Sequence, residues 1–232
     1  MKKGTIGIIG AMDIEIEKLV SSVENPQTKT IGGIAFTSGK MFGKDVVIAK
    51  SGMGKVFAAV CAQTMILGYS PVCIINSGIA GSTDSRLGML DITIGEKVVQ
   101  HDYDFTPLGK PLGYVPDLDK TFFECDGEIC NMLCDAVKSI GKNALRAVIA
   151  TGDQFIADKE KGRQLHDIFG ASACEMEGGA IGQVCTIWGI PFGILRTISD
   201  GGDESSSEII HQFGKLAADQ AANIMKEFVR KA

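Results

Sequence analysis

The chain has 232 residues, of which 45% are hydrophobic and 22% charged, and its formal net charge is −5. This composition is ordinary for a folded soluble protein, and we expect residues 1–232 to form a single cytoplasmic domain. Basic residues are scattered, which argues against nucleic-acid binding, and no apolar run reaches the roughly 18 residues of a membrane span.

Apolar and amphipathic runs alternate along the chain, which predicts strands alternating with helices. The predicted strands are Thr5–Gly10, Ile34–Gly39, Asp45–Lys50, Val72–Asn76, Asp91–Val99, Arg146–Thr151, Cys174–Glu177 and Phe192–Ile198. The predicted helices are Met12–Val20, Gly54–Leu67, Glu124–Ile140, Lys159–Phe169, Gly178–Trp188 and Ser206–Arg230. This order indicates a three-layer α/β fold with a mixed central β-sheet and helices on both faces.

Two glycine-containing segments do not match the motifs that bind cofactor phosphates. Thr5–Met12 lacks the G-x-G-x-x-G spacing of a dinucleotide site, and Ser51–Lys55 lacks the first glycine and the final Ser/Thr of a P-loop. The seven cysteines include Cys125, Cys130 and Cys134, but their spacing fits no metal site. We therefore expect no cofactor or metal, and cysteines that pack as small buried hydrophobes.

Acidic residues at strand ends are the main candidates for chemistry. Glu175 and Glu177 follow an apolar segment, and buried carboxylates require a partner or a ligand. We expect only Glu177 to face a site, with Glu175 in a supporting position. Glu15 lies in the first turn of a helix, where the helix dipole favours an ionised carboxylate that can orient a water. Ion pairing or helix capping would account for each of these acids equally well.

Seven runs carry a resemblance to a known family, in the family's order. They are Ile8–Glu15, Lys50–Lys55, Ile74–Gly81, His101–Asp104, Thr151–Ile156, Cys174–Glu177 and Pro191–Asp200. With them the chain resembles the 5′-methylthioadenosine/S-adenosylhomocysteine nucleosidases of the purine nucleoside phosphorylase-like superfamily. The resemblance implies a nucleoside phosphorylase-like fold and metal-free hydrolysis of an adenine thionucleoside, as in methionine salvage. It also implies a homodimer in which a partner loop, about Phe105 to Leu108, completes the pocket.

The resemblance assigns a role to each matching residue. Glu15 is implied to orient the attacking water, and Asp200, held by Ser199, to protonate the leaving adenine. The implied substrate contacts are Glu177 with the ribose hydroxyls, Met176 with the sugar, Arg196 with the water and Glu177, Phe155 and Ile156 with adenine, and Met53, Phe105 and Ile210 with the 5′ group.

The chain departs from the family pattern at three positions, and three alternative functions stay open. Ile79, Leu108 and Ile210 replace residues common in the family, which affects the expected water position and 5′ group more than the reaction. Deoxyadenosine or aminofutalosine-type substrates are therefore alternatives. A nucleoside phosphorylase is disfavoured, because no arginine precedes Arg86 and a carboxylate at Glu15 would repel phosphate. The third alternative is a catalytically silent nucleoside-binding protein.

Overall fold

The computed structural model describes the backbone of residues 3–200 and 206–232, and the side chains of residues 3–199 and 213–232. In these ranges the chain forms ten strands and six α-helices. The strands are β1 (Ile6–Gly10), β2 (Glu24–Ile31), β3 (Ile34–Met41), β4 (Lys44–Lys50), β5 (Cys73–Ser82), β6 (Ile92–Gln100), β7 (Phe122–Glu124), β8 (Ala144–Thr151), β9 (Ala171–Glu175) and β10 (Phe192–Asp200). The helices are α1 (Asp13–Val20), α2 (Lys55–Tyr69), α3 (Gly127–Ser139), α4 (Lys159–Phe169), α5 (Gly178–Trp188) and α6 (Ser206–Lys231).

Five of the strands pair in a closed ring. β10 runs parallel to β5 and antiparallel to β6, β8 runs parallel to both β6 and β9, and β9 returns to β5 through a short antiparallel ladder. From β5 the sheet continues outwards through β1, β4, β3 and β2. The sheet is thus mixed, as predicted. The ring brings the carboxyl ends of β5, β8 and β10 to one place, where ligands bind in open α/β sheets.

Helices cover the sheet on two sides, and the inner strands are therefore buried on both faces. Leu19 of α1, Leu133 of α3 and Phe228 of α6 belong to one apolar cluster, and Met65 of α2 and Ile181 of α5 belong to another. Fully buried side chains of this size each contribute about 1.5–3 kcal/mol to stability. Cys61, Cys130 and Cys185 lie inside these clusters as free thiols, which confirms core packing for them. No helix in the described residues is long and apolar enough to cross a membrane.

The structure corrects several of the predicted boundaries of strands and helices. β5 does not stop at Asn76 but continues to Ser82, because its far half still pairs with β10 and β9. Helix α3 begins at Gly127 rather than Glu124, since the carboxylate of Asp126 accepts the Ile129 N–H at 3.0 Å and caps the helix. Strand β2 was not predicted, because it is an exposed, polar strand at the edge of the sheet without alternating hydrophobicity.

Candidate active site

A cavity of about 170 Å³ opens at the carboxyl ends of the ring strands. Its wall combines polar groups at the bottom with apolar side chains nearer the opening. The described residues of this wall that the sequence singled out are Glu15, Met53, Ile79, Phe155, Ile156, Met176, Glu177 and Ser199. Residues predicted from six separate segments therefore meet in one place.

Glu15 is buried and fully engaged with main-chain donors. Its Oε2 accepts the N–H groups of Ala11 at 2.6 Å and Met12 at 2.9 Å, and its Oε1 accepts that of Ile79 at 2.9 Å. Burial raises the pKa of Glu15, although the charge of Arg196 and the three N–H groups oppose the shift. A carboxylate with a raised pKa is a stronger base, which suits removal of a proton from water.

Arg196 lies beneath the cavity with no exposed surface. Its Nη2 donates to Asn76 Oδ1 and Glu175 Oε2, and lies 3.7 Å from Glu177 Oε2. Burial lowers the pKa of Arg196, but the neighbouring carboxylates outweigh this effect and the pKa is raised. Its Nε and Nη1 have no hydrogen-bond partner among the described residues, so two donors remain available.

Gly78 explains how Arg196 and Glu15 come together. A Cβ at this position would collide with Glu15 Oε1 and would lie 2.5 Å from Arg196 Nη1. Gly78 stands opposite Arg196 in the parallel ladder between β5 and β10. Because Gly78 has no side chain, Glu15 Oε1 and Arg196 Nη1 both lie against its backbone, and the carboxylate and the guanidinium come close together beneath the cavity.

Glu175 is a functional candidate that the sequence interpretation undervalued. Its Oε2 accepts Arg196 and the N–H groups of Glu177 at 3.0 Å and Gly178 at 2.7 Å, and its Oε1 accepts the Thr151 hydroxyl. The expectation that only Glu177 would face the site was wrong. Strand alternation does not decide this, because β9 ends at Glu175 and Glu177 already caps the next helix.

Glu177 lies beyond the end of β9, at the N-cap of α5, and not within a strand as predicted. It is buried, and its Oε1 accepts the Gly54 N–H at 2.9 Å. Burial, and next the charge of Glu175, raise the pKa of Glu177 to about 7, while Arg196 opposes the shift. Met176 is half-buried beside it and lines the cavity.

The wall nearer the opening is apolar. Met53 is 63% exposed and Phe155 is 57% exposed, while Ile156 is buried. Ser199 is buried at the end of β10, and its hydroxyl donates to the Ala80 carbonyl at 3.4 Å. An exposed aromatic ring beside a buried main chain can stack on a planar base and read its edge.

Besides Arg196, which lies beneath the cavity, two more described site residues do not line it. Phe105 stacks on Tyr103 at 5.6 Å, and Leu108 is 74% exposed on a short 3₁₀ turn. Neither is among the described residues that line the cavity. The side chains of Asp200 and Ile210 lie outside the described residues, although the Asp200 backbone ends β10 opposite Gly81. No cluster of metal ligands occurs among the side chains that are described.

Comparison with known proteins gives one consistent family. A family model described as the phosphorylase superfamily matches residues 5–230. A 5′-methylthioadenosine/S-adenosylhomocysteine nucleosidase of Shewanella halifaxensis is 41% identical over 203 residues, covering 87% of this chain and 88% of the relative. The crystal structure of such a nucleosidase from Neisseria meningitidis, in complex with methylthio-immucillin-A, has a TM-score of 0.95 at 34% identity and covers 99% and 100% of the two chains. The futalosine hydrolase of Helicobacter pylori has a TM-score of 0.94 at 32% identity, covering 99% and 98%.

Proposed function

This chain belongs to the phosphorylase superfamily and to its 5′-methylthioadenosine/S-adenosylhomocysteine nucleosidases, and we propose how its residues perform that reaction. It is an N-glycosyl hydrolase that cleaves methylthioadenosine and adenosylhomocysteine to adenine and the thioribose product. The proposal rests above all on Glu15, a buried carboxylate in the cavity wall that three main-chain N–H groups hold in place beside Arg196.

The attacking water binds at the cavity side of the Glu15 carboxylate, which accepts one of its protons, while the neighbouring charge of Arg196 supports this arrangement. The hydroxyl oxygen forms a bond to the anomeric carbon of the ribose as the bond from that carbon to adenine breaks. The bonding electron pair goes to adenine, and the water proton stays on Glu15. Holding the water in place removes much of the entropic cost of its attack.

Carboxylates stabilise the sugar as the bond breaks. The transition state of glycosidic cleavage resembles an oxocarbenium cation, so fixed anions near the ribose lower its energy. Glu177 faces the cavity from the N-cap of α5, and we assign to it the ribose hydroxyls. Met176 packs against the sugar from the same segment. Glu175 holds Arg196 in place without itself touching the substrate.

The leaving adenine accepts a proton as the glycosidic bond breaks. Adenine is a poor leaving group as an anion, so an acid must protonate it. Asp200, next to the buried Ser199, is assigned this role from the family pattern, with Phe155 stacking on the base and Ile156 contacting its edge. The 5′ group extends towards Met53, Ile79 and Ile210.

We further propose that the active protein is a homodimer. Val56 is 72% exposed, Phe57 59% and Val60 47%, and these residues form an apolar surface on α2 beside Met53. Exposed apolar surfaces of this kind mark protein contacts. In the dimer, the loop from Phe105 to Leu108 reaches the cavity of the other subunit and encloses the 5′ group. Val56→Asp is expected to yield monomers in sedimentation analysis with a raised KM; an unchanged dimer would contradict this interface.

Hydrolysis is favoured over phosphorolysis by the charge of the cavity. Glu15 and Glu177 are both buried in its wall, and Asn76 is already engaged by Arg196. A phosphate dianion would meet these carboxylates in a low-dielectric site at a large energetic cost. We also propose that the enzyme acts in the cytoplasm as one domain, where the free thiols of Cys61 and Cys185 stay reduced.

Adenine release is the decisive measurement. Methylthioadenosine, adenosylhomocysteine, 5′-deoxyadenosine, aminofutalosine and inosine are each supplied with and without phosphate. Adenine is expected from both thioethers without phosphate, and Glu15→Gln is expected to abolish it while Asp45→Asn, an exposed control, retains it. Strict dependence on phosphate would identify a phosphorylase. Turnover of aminofutalosine alone would shift the substrate towards that of the futalosine hydrolase neighbour, and no turnover would indicate a silent binding protein.

A further inference from the structure

Three charged residues outside the cavity join three loops at its edge. Lys55 begins α2, Asp102 follows β6, and Asp153 follows β8. Asp102 Oδ1 accepts Lys55 Nζ at 2.6 Å, and its Oδ2 accepts the Asp153 N–H at 2.9 Å. Asp153 Oδ1 accepts the Lys55 N–H at 2.7 Å, which closes a triangle of contacts. We call these three residues the loop clamp.

The clamp is more shielded from solvent than the ion pairs on the outer surface. The Lys55 side chain is 17% exposed and that of Asp102 is 15% exposed, whereas those of Lys40 and Asp45 are 53% and 59% exposed. Burial alone would raise the pKa of Asp102. The contacts with Lys55 and the Asp153 N–H together outweigh this effect, so the pKa lies below its ordinary value. Since solvent screens this pair less, losing one partner is expected to cost more than at the surface.

Each end of the clamp adjoins residues of the active site. Gly54 precedes Lys55 and donates its N–H to Glu177. Gln154, Phe155 and Ile156 follow Asp153, and all three line the cavity. Gly54 has a φ of +97°, and a Cβ there would lie 2.9 Å from Asp153 Oδ1, so a side chain would push the two loops apart. The clamp thus fixes the main-chain donor to Glu177 and the loop beneath Phe155 relative to each other.

We propose that Asp102 is a positioning residue, which acts through Lys55 and Asp153 to hold the base-binding loop 153–156 against the start of α2. The identity of the base rests on the proposed function, whereas the mechanical link does not. Asp102 also lies at the base of the segment from Tyr103 to Leu108. The same residue therefore anchors the loop that we assign to the neighbouring subunit's cavity.

The test combines adenine binding with amide hydrogen exchange. Asp102→Asn removes the charge with little change in shape, and Lys55→Met keeps the aliphatic stem. Each is expected to weaken adenine binding by about tenfold, the effect of one lost charge-assisted contact. Residues 52–56 and 152–156 should exchange faster in both variants. The double variant should bind adenine no more weakly than the single variant with the lower affinity, because both changes break the same contact. Asp45→Asn, which breaks an exposed ion pair far from the cavity, is the matched control.

The outcomes separate this proposal from the proposed function. Unchanged adenine affinity and exchange in Asp102→Asn would overturn the clamp, as would effects of the two single changes that simply add. Slower folding or general loss of protection, equal across the whole chain, would also overturn it, because a positioning role predicts a local change. If the wild-type protein released no adenine from methylthioadenosine, the proposed function would fail while the exchange comparison still decided the clamp.

Discussion

The floor and the rim of the cavity differ in how far their side chains are buried and bonded. The floor consists of Glu15, Glu175, Glu177 and Arg196, all buried and each bonded within the chain. At the rim, the side chains of Met53 and Phe155 are more than half exposed. The chain's own bonds therefore fix the floor, whereas the rim presents apolar side chains to solvent.

Charge explains why the floor must be so tightly bonded. Three carboxylates surround one guanidinium, which leaves an excess of two negative charges if all are ionised. Burial raises the pKa of Glu15 and of Glu177, and at Glu177 the charge of Glu175 adds to this effect. A cation developing on the ribose would favour ionisation of both groups. Such a floor would stabilise a cationic transition state more than a neutral ground state.

The largest effect expected at the floor is loss of the base. Glu15→Gln keeps an oxygen that accepts main-chain N–H groups but cannot take a proton from water. We expect kcat to fall by about 10²–10⁴-fold, the usual contribution of a general base, with little change in KM. Adenine release under saturating methylthioadenosine measures it. Retention of kcat within tenfold would remove Glu15 from the catalytic role.

The second prediction tests whether Glu175 is needed to compensate the buried charge of Arg196. Glu175→Gln removes the carboxylate bonded to Arg196 and leaves a buried guanidinium with weaker compensation. We expect the free energy of unfolding to fall by about 3–5 kcal/mol, as when one partner of a buried ion pair is lost. Urea unfolding measures the loss. A change as small as that of the exposed Asp45→Asn would show that Glu177 and Glu15 suffice to balance Arg196.

The rim should respond in binding rather than in chemistry. Phe155→Ala removes the ring that we assign to stacking on adenine, an interaction typically of about 1–3 kcal/mol per base. KM for methylthioadenosine should therefore rise while kcat changes much less, and Phe155→Tyr, which keeps the aromatic face, should stay near wild type. Steady-state kinetics of both variants measures the changes in KM and kcat. A fall in kcat with constant KM would place Phe155 with the floor instead.

The last prediction concerns the pH dependence that Glu177 imposes on stability. Its pKa is about 7 in the folded chain and 4.5 in the unfolded reference. Between these values the unfolded chain loses the proton while the folded chain keeps it, so wild-type stability declines as pH rises from about 4.5 to about 7. Glu177→Gln lacks this titration. The two pKa values differ by about 2.5 units, or about 3.4 kcal/mol, so the Tm of this variant relative to wild type should rise by about 7–14 °C over that window in thermal melts. A constant difference would refute the shifted pKa.

Local patterns predicted most elements but not the partners of the site residues. The bounds of α4 and α5 were predicted correctly, because their apolar spacing and flanking glycines are local signals. Glu15 and Glu177 were identified as site candidates, and both line the cavity. Asp102 was not singled out and Glu175 was given only a supporting position, because their importance lies in bonds to residues 21 or more positions away. Such pairs depend on the order of strands in the sheet.

The sequence by itself determined the alternation of strands and helices, the placement of acids where strands end and the family to which the chain belongs. These properties depend on neighbours in the chain and on an ordered set of short motifs. Only the tertiary structure decided that Arg196 pairs with Glu175, that Gly78 lets Arg196 and Glu15 come close together, and that α2 presents an exposed apolar surface. Closure of the five-stranded ring brings those groups together, and ring closure is a property of long-range pairing that no local pattern encodes.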